Sequence, residues 1–502
     1  MDFQISRRDM LKMAGCAMAA YAIGPFTSAP RIAEAAAASD TVMFNGKAIP
    51  VLCEADVCVA GGGCAGVAAA VMSARRGAAT VLIEQGISLG GSQTLGLVNP
   101  MMPTFAADTE TPLLKEIVRR LTDYDSSRLI LDRYGLSNCI CFSTEGIAQV
   151  YDDICLEAGV TVLYRSTLVE AMCSAGKIHC CIVQTVEGLA AIKAKTFIDA
   201  SGDAVLARLA GVPADKGNPE NGGRNQPMSF RFEVSNVDVE KLYQYVTVQL
   251  GDKFCSKKPP FFYEIGYVYG NTKSKLDPFF KKAVQSGALT KEHCAHIQAC
   301  TVPGRHGVMS FNCPELPNSY SATNPIEYAQ AVQVGRRMQR ELIEYFRKNM
   351  PGFSEAYISR TASILGVRES WRIRGQLIMT GKDYYGQSRF PDAVARSAYY
   401  VDIHGGKNGT PLKKGEYYEI SFRTLITNEV SNLAVAGRCA SADFELNASM
   451  RIQPTCIATG EAAGIASAWA VAHRIPVNEV KWEEIPAELR SYSSKQSNRS
   501  AK

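Results

Sequence analysis

The stretch Ala55-Asp-Val-Cys-Val-Ala-Gly-Gly-Gly-Cys-Ala-Gly66 decides the fold. Residues 55–60 read as a short buried parallel strand. Gly61 to Gly66 follow at once, and Val67 to Arg76 read as an Ala-rich helix. After Gly77, residues 79–83 form a second strand that ends in Glu84. The three glycines act differently. Gly61 permits the tight turn, Gly63 lets the backbone approach a pyrophosphate, and Gly66 lets helix and strand pack closely. The helix N-terminus faces phosphate charge, and Glu84 stands where a carboxylate accepts from ribose hydroxyls. A lone G-x-G-x-x-G is weak, but strand, helix and closing acid together specify a dinucleotide site.

Just beyond lies a second glycine-rich loop, Gly90-Gly91-Ser92-Gln93-Thr94-Leu95-Gly96. With Gly90, Gly91, Ser92 and Thr94 along a pyrophosphate and flavin, the cofactor is FAD rather than NAD; a plain surface turn is the alternative. The far end of the chain completes the same site. Asn432 to Ala436 read as a strand running into Gly437 and Arg438, and Gln453-Pro454-Thr455 opens a small-residue helix reaching about Ala470. Pro454 suits a helix start, where its missing N–H costs nothing. That N-terminus, carrying Gln453 and Thr455, is expected to face the flavin pyrimidine and stabilise negative charge there. Between the two ends, residues 196–203 read as a strand closing in a turn at Gly202 and Asp203.

These stretches resemble the bacterial FAD-dependent oxidoreductase family, distantly related to the fumarate reductase flavoprotein. The resemblance runs from about Ala55 to Ala470 and rests on GGGCAG (61–66), GGSQTLGLV (90–98), IDASGDA (198–204), QPMSFRF (226–232), ILGVRESWRI (364–373), RFPDAVARSAYYVDIH (389–404), VAGRC (435–439) and RIQPTCIATGEAAG (451–464). It implies an α/β fold: a Rossmann-like, glutathione-reductase-like FAD domain with an inserted α+β substrate domain. It also implies that the strand around Leu168 presents its backbone to the adenine. The family usually has a basic residue where Trp371 stands, a departure that bears on the substrate pocket.

The FAD domain is therefore expected to be discontinuous, 50–205 and 430–475, with 206–429 as a cap and 476–502 as a tail that frays after about Trp482. Within the cap, apolar residues recur at helical spacing from Pro325 to Met350. Candidate chemistry lies in Arg368, Arg372, Arg451 and His404. Arginines clamp carboxylates and one can deliver a proton beside the flavin, while His404 has an intrinsic titration range suited to proton transfer. The competing expectation is an internal Arg368–Glu369 ion pair, with Arg372 confined to FAD phosphates.

Composition narrows the rest. The 502 residues carry a net charge of +5 spread without a basic stripe, which gives nucleic-acid binding no support. Sixteen cysteines occur without a C-x-x-C, so neither a c-type haem nor a standard iron–sulfur run is present. His293, Cys294, His296 and Cys300 would approach metal-ligand spacing on one helix, but chance clustering of buried thiols is the favoured reading and no metal is assigned. Residues 4–12, Gln-Ile-Ser-Arg-Arg-Asp-Met-Leu-Lys, precede an Ala-rich apolar run too short to span a membrane. They resemble a twin-arginine export signal over residues 1–38, cleaved between Ala35 and Ser39, with Met10 where that pattern prefers Phe. The resemblance implies export of a folded, cofactor-loaded protein to the periplasm or outer face of the cytoplasmic membrane, with no transmembrane anchor after cleavage.

The expected activity is hydride transfer between flavin and a small organic substrate, in the direction of reducing an activated double bond. With one dinucleotide fingerprint and no haem or cluster motif, electrons must come from an external carrier such as a cytochrome or the quinone pool. The alternatives are an exported dehydrogenase or oxidase passing electrons to quinone or oxygen, and a non-catalytic flavin carrier.

Overall fold

A computed structural model of the chain describes residues 31–32, 40–104, 106, 111–125, 129–133, 136–254, 259 and 262–492. The expected export signal lies outside them except at residues 31–32. The elements that position the site are, in order, β1 (Lys47–Ala60), α1 (Cys64–Arg75), β2 (Thr80–Ile83), α2 (Pro112–Asp125), α3 (Thr144–Ala158), β3 (Thr161–Leu163), β4 (Thr167–Ser174), β5 (Lys177–Thr185) and β6 (Gly188–Asp199). The cap contributes β7 (Phe232–Ser235), β8 (Glu264–Val268), β9 (His296–Thr301), β10 (Met309–Phe311), α4 (Pro325–Asn349) and β11 (Tyr357–Thr361). The chain returns through β12 (Leu433–Val435), α5 (Phe444–Met450) and α6 (Gln453–His473).

The main sheet runs β3-β2-β1-β6-β5-β4, with β12 also paired to β6. Pairings β3–β2, β2–β1, β1–β6 and β6–β12 are parallel, whereas β6–β5 and β5–β4 are antiparallel. Strand β1 explains itself: Val57 and Val59 pack into one apolar cluster, Cys58 and Ala60 into the other. A strand buried on both faces reads as a continuous apolar run, the signature of a parallel sheet covered by helices. Register aligns Ala60 with Ile83 and with Asp199, and Asp199 with Val435. Five parallel strands thus end at one edge, and four of them, β1, β2, β6 and β12, bring Gly61, Glu84, Ala200 and Ala436 together. The crevice outside that edge is where open α/β sheets bind ligands.

Helices α1 and α6 lie side by side on one face. A Cβ on Gly460 would overlap the Ala65 carbonyl, and one on Gly464 the Ala69 carbonyl. The small residues therefore set the helix–helix distance, and the 65/460 and 69/464 correspondence makes the helices parallel. Both N-termini consequently point to the crevice.

The cap is a five-stranded antiparallel sheet, β8-β9-β10-β7-β11. Its core stacks Phe232 on Phe311 at 4.8 Å and takes Leu342, Ile343 and Phe346 from α4. Helix α4 covers Pro325–Asn349 as the apolar spacing predicts, with Asn324 capping its start through Ile326 N–H at 3.0 Å. From Trp482 to Tyr492 the chain differs from the expected fraying, and the Ser- and Lys-rich stretch after Tyr492 lies outside the described residues. Trp482 is fully buried against Phe422, with ring centroids 5.7 Å apart, and Tyr492 donates to Glu419 at 3.0 Å. The polar composition of 482–492 concealed one large aromatic anchor. Among the described residues, no helix is long and apolar enough to cross a membrane.

Candidate functional site: a dinucleotide cradle and a buried charge cluster

The first glycine loop is closed toward the protein and open on the other side. Gly61 has φ +100°, and a Cβ there would sit 2.7 Å from the Ala200 carbonyl oxygen. A Cβ on Gly66 would overlap the Gly61 carbonyl. Gly63, the N-cap of α1, meets nothing within 4 Å of its Cβ position. Crowding on the protein side with open space at Gly63 is the form of a cradle for a pyrophosphate lying on the amides of α1. The second glycine loop closes against the first: Gly90 N–H donates to the Gly62 carbonyl at 2.8 Å, and Gly63 bridges Gly90. Gly90 reaches φ +101° and Gly91 φ +54° to make that approach.

Glu84 is buried and braces the turn, accepting from Gly62 N–H at 2.8 Å and Gly86 N–H at 2.6 Å. Each carboxylate oxygen keeps a further lone pair for a ribose hydroxyl. Thr94 closes its own loop by donating to Leu89 O at 2.7 Å, while Ser92 is exposed on it. Gln453 is committed to the protein: it accepts from Gln93 at 2.9 Å and donates to Val98 O at 2.9 Å. The fully buried Gln93 also accepts from Tyr151 at 2.5 Å. Sequence reasoning passed over Gln93, although an uncharged amide inside a glycine loop is the residue type that ties a loop to a helix start. Thr455 is buried in the first turn of α6, and its hydroxyl has no partner among the described residues.

Arg438 donates to Asp203 at 2.7 Å and to Ser370 at 2.9 Å, and its guanidinium covers Gly202. Gly437, at φ +75°, is pinned by its N–H to Thr459 at 3.0 Å. These residues hold the crevice edge opposite Glu84. Leu168 pairs with Val183 in the antiparallel part of the sheet. The segment before it meets the acid: Glu84 N–H reaches Leu163 O at 2.9 Å, and Ser166 N–H reaches Glu84 O at 3.1 Å. The residues present fit FAD. The amides around Gly61–Gly66 would hold its pyrophosphate, Glu84 its ribose, and the loop 90–92 with the α6 N-terminus its flavin end.

A second group of side chains gathers where the cap meets the crevice strands. Ser229 bridges both Glu315 and Gly366, which sets residues 226–231, 315 and 366–368 side by side. Arg368 donates to Pro227 O at 2.5 Å and Ser229 Oγ at 2.7 Å, with Glu315 at 3.5 Å. His404 places Nδ1 2.5 Å from Glu315 and Nε2 3.5 Å from Asp402. Arg451, between α5 and α6, donates to Asp402 Oδ2 at 3.0 Å. Three of the four predicted catalytic residues therefore belong to one cluster, and Glu315 and Asp402 join them as the counter-charges. Burial pushes both carboxyls up, but the His404 hydrogen bond and the nearby guanidiniums outweigh it. Glu315 ends at about 2, and Asp402 is held well below the usual carboxylate range. His296, whose ring centroid lies 5.4 Å from that of His404, is pushed down to about 4 by burial and by the charges of His404 and Arg368.

Arg372 does not join this cluster. Its guanidinium is spent on Glu369, on Ala442 O at 3.1 Å and on Ser370 O at 3.2 Å. The expected Arg368–Glu369 pair is likewise not formed: Glu369 also accepts from Gly217 N–H and Asn225, each at 2.8 Å, and Arg368 turns to Glu315 instead. The four histidines and cysteines at 293–300 are not on one helix. His293 is held by Thr290 at 2.9 Å and Glu341 at 2.9 Å, while His296 and Cys300 lie on β9. Among the described residues, no group of three ligating side chains is set to hold a metal. Trp371 is flanked by cations, Arg208 Cζ at 4.1 Å and Lys216 Nζ at 4.8 Å from its ring centroid.

The fold and the cradle define a dinucleotide-binding redox protein. The chain belongs to the FAD-dependent oxidoreductase family, whose pattern matches residues 56–489, and FAD is its cofactor. No curated protein matches the chain. Solved structures similar to it include a geranylgeranyl bacteriochlorophyll reductase-like protein of Thermoplasma acidophilum, 14% identical, covering 87% of this chain and 84% of that one with a TM-score of 0.47. CtdE in complex with FAD is 11% identical, covering 85% and 87% with a TM-score of 0.44. The p-nitrophenol 4-monooxygenase PnpA of Pseudomonas putida is 11% identical, covering 84% and 81% with a TM-score of 0.41.

Proposed function

We propose that this enzyme adds two electrons and two protons across an activated carbon–carbon double bond of a small organic molecule, outside the cytoplasm, with electrons from an external carrier such as a cytochrome or the quinone pool. The observation that carries the reading is the cluster Arg368–Glu315–His404–Asp402–Arg451 beside the dinucleotide cradle. When bound, FAD supplies the two-electron carrier between donor and substrate.

The protein's own groups do the rest. Glu315 and Asp402 stay ionised throughout the physiological range, so both nitrogens of His404 face negative charge. A proton carried on that ring stays hydrogen-bonded and can be handed on without leaving the cluster. Arg368, clamped by Pro227 O and Ser229, is fixed as a donor and as a positive charge where negative charge develops on substrate. Burial of Arg368 excludes water, which strengthens each of these interactions. The twin-arginine resemblance at residues 4–12 supports export, and the lack of a second dinucleotide fingerprint supports a separate electron carrier.

The test is Arg368→Ala and Arg368→Lys, each checked first for bound FAD by its visible spectrum. Loss of alkene-dependent flavin reoxidation by about a hundredfold or more, with FAD retained, supports the reading. Unchanged turnover in both variants removes Arg368 from the chemistry.

A further inference from the structure

We propose that the group by which this site recognises its substrate is an uncharged carbonyl oxygen, as in an α,β-unsaturated ketone or ester, and that the Gln226 side-chain amide donates to it. The inference rests on the reductase reading above and narrows its substrate class.

Charge matching comes first. The cluster's two guanidiniums each face a carboxylate: Arg368 has Glu315 at 3.5 Å, and Arg451 has Asp402 at 3.0 Å. His404 too lies against both carboxylates, and the Tyr399 hydroxyl donates to Asp402 at 3.4 Å. A substrate carboxylate entering here would have to draw Arg368 or Arg451 away from its partner. That exchange leaves a buried carboxylate uncompensated, which is among the costlier events in a protein interior. A dicarboxylate would incur it twice.

Neutral hydrogen-bonding capacity is what the site leaves over. Gln226 is 2% exposed and accepts from the His404 backbone N–H at 3.3 Å, which fixes its amide against the cluster. Its Nε2 has no partner among the described residues. Nε2 of His296, on the ring edge-on to His404, has none either. Held near 4, His296 is neutral at neutral pH and adds no charge for an anion to use. A desolvated amide donor without an acceptor is destabilising, and a carbonyl oxygen relieves it without bringing net charge. The same hydrogen bond polarises a conjugated double bond.

The test uses oxidised, FAD-loaded wild-type protein, so that binding is read without turnover. Isothermal titration calorimetry at pH 7 compares methyl cinnamate with cinnamate, and dimethyl fumarate with fumarate. The expected result is about tenfold or tighter binding of each ester over its acid, and about a tenfold loss of ester affinity in Gln226→Ala with FAD retained. Acids binding as tightly as esters would overturn the inference, and the wild-type comparison decides this even if the variant fails to fold. Tight acid binding accompanied by acid-driven flavin reoxidation would overturn the carbonyl assignment and leave the reductase reading standing. Absence of both binding and reoxidation with all four compounds would overturn both.

Discussion

Glu461 sits in the middle of α6 with no exposed surface, accepting from the Thr111 hydroxyl that caps α2 and from the Leu113 amide. Its other oxygen has no partner among the described residues, and burial, opposed by those hydrogen bonds and the charges of Arg75 and Arg76, pushes the carboxyl up to about 8. Between pH 4.5 and 8 the folded chain therefore keeps a proton that the unfolded chain releases. Stability falls as pH rises across that window and levels off above it. At about 1.4 kcal/mol per pH unit, the penalty reaches about 3 kcal/mol at pH 7 and about 4–5 kcal/mol at pH 8. Glu461→Gln keeps an acceptor for Thr111 and Leu113 and removes the ionisation. For a chain of this length, about 1 kcal/mol corresponds to about 1 °C in Tm. Melting of wild type and variant by far-ultraviolet circular dichroism, with saturating FAD, is expected to give equal Tm values near pH 4.5. The variant should then lead by about 4 °C at pH 8. A constant difference across that range, or a variant less stable at pH 8, would refute the reasoning.

The open space at Gly63 predicts that Gly63→Val folds but binds FAD at least about tenfold more weakly in a fluorescence titration of apoprotein, whereas Gly66→Ala, which meets the Gly61 carbonyl, loses soluble protein. Unaltered FAD affinity in Gly63→Val would place the pyrophosphate elsewhere. Glu315→Gln leaves Arg368 and His404 without their shared counter-charge and should cost about 3–5 kcal/mol at pH 7. Because Glu315 titrates at about 2, its contribution is fully present above the ordinary glutamate value and fades as pH falls toward 2. The Tm gap between Glu315→Gln and wild type should thus narrow only in acid, and a gap that is flat down to about pH 3 would count against the pairing. Trp482→Ala should cost about 3–5 kcal/mol by emptying a buried site against Phe422; a Tm within about 1 °C of wild type would show the terminal segment to be peripheral.

The cradle was legible because its pattern is local. A strand, three glycines and a small-residue helix are contiguous in sequence, and Glu84 follows within the same βαβ unit, so periodicity and glycine placement specify the geometry. The second loop and the α6 start could be joined to it only through resemblance, since their approach depends on Gly460 and Gly464 fitting against α1. The charge cluster was legible residue by residue but not as an assembly. Arg368, His404 and Arg451 stood out as chemistry-bearing types, yet their partners are set by pairings across the cap, where Ser229 brings Glu315 to Arg368. Glu315 carried no local signal. Arg372 was misleading for the converse reason: an arginine close behind Arg368 and Glu369 looks like a second clamp, yet its guanidinium is taken up by the buried Glu369 three residues back. His296 drew notice for its cysteine neighbours, whereas its position on β9 sets it against His404.

The measurement that bears most directly on the account is anaerobic reoxidation. The wild-type protein, its flavin reduced with a viologen, is mixed with a panel of activated alkenes and then with oxygen, and the flavin absorbance is followed in a stopped-flow cell. The account predicts fast reoxidation by at least one alkene, with formation of the saturated product, and slow reoxidation by oxygen. Fast reoxidation by oxygen with no alkene reacting would contradict it and make the enzyme an oxidase.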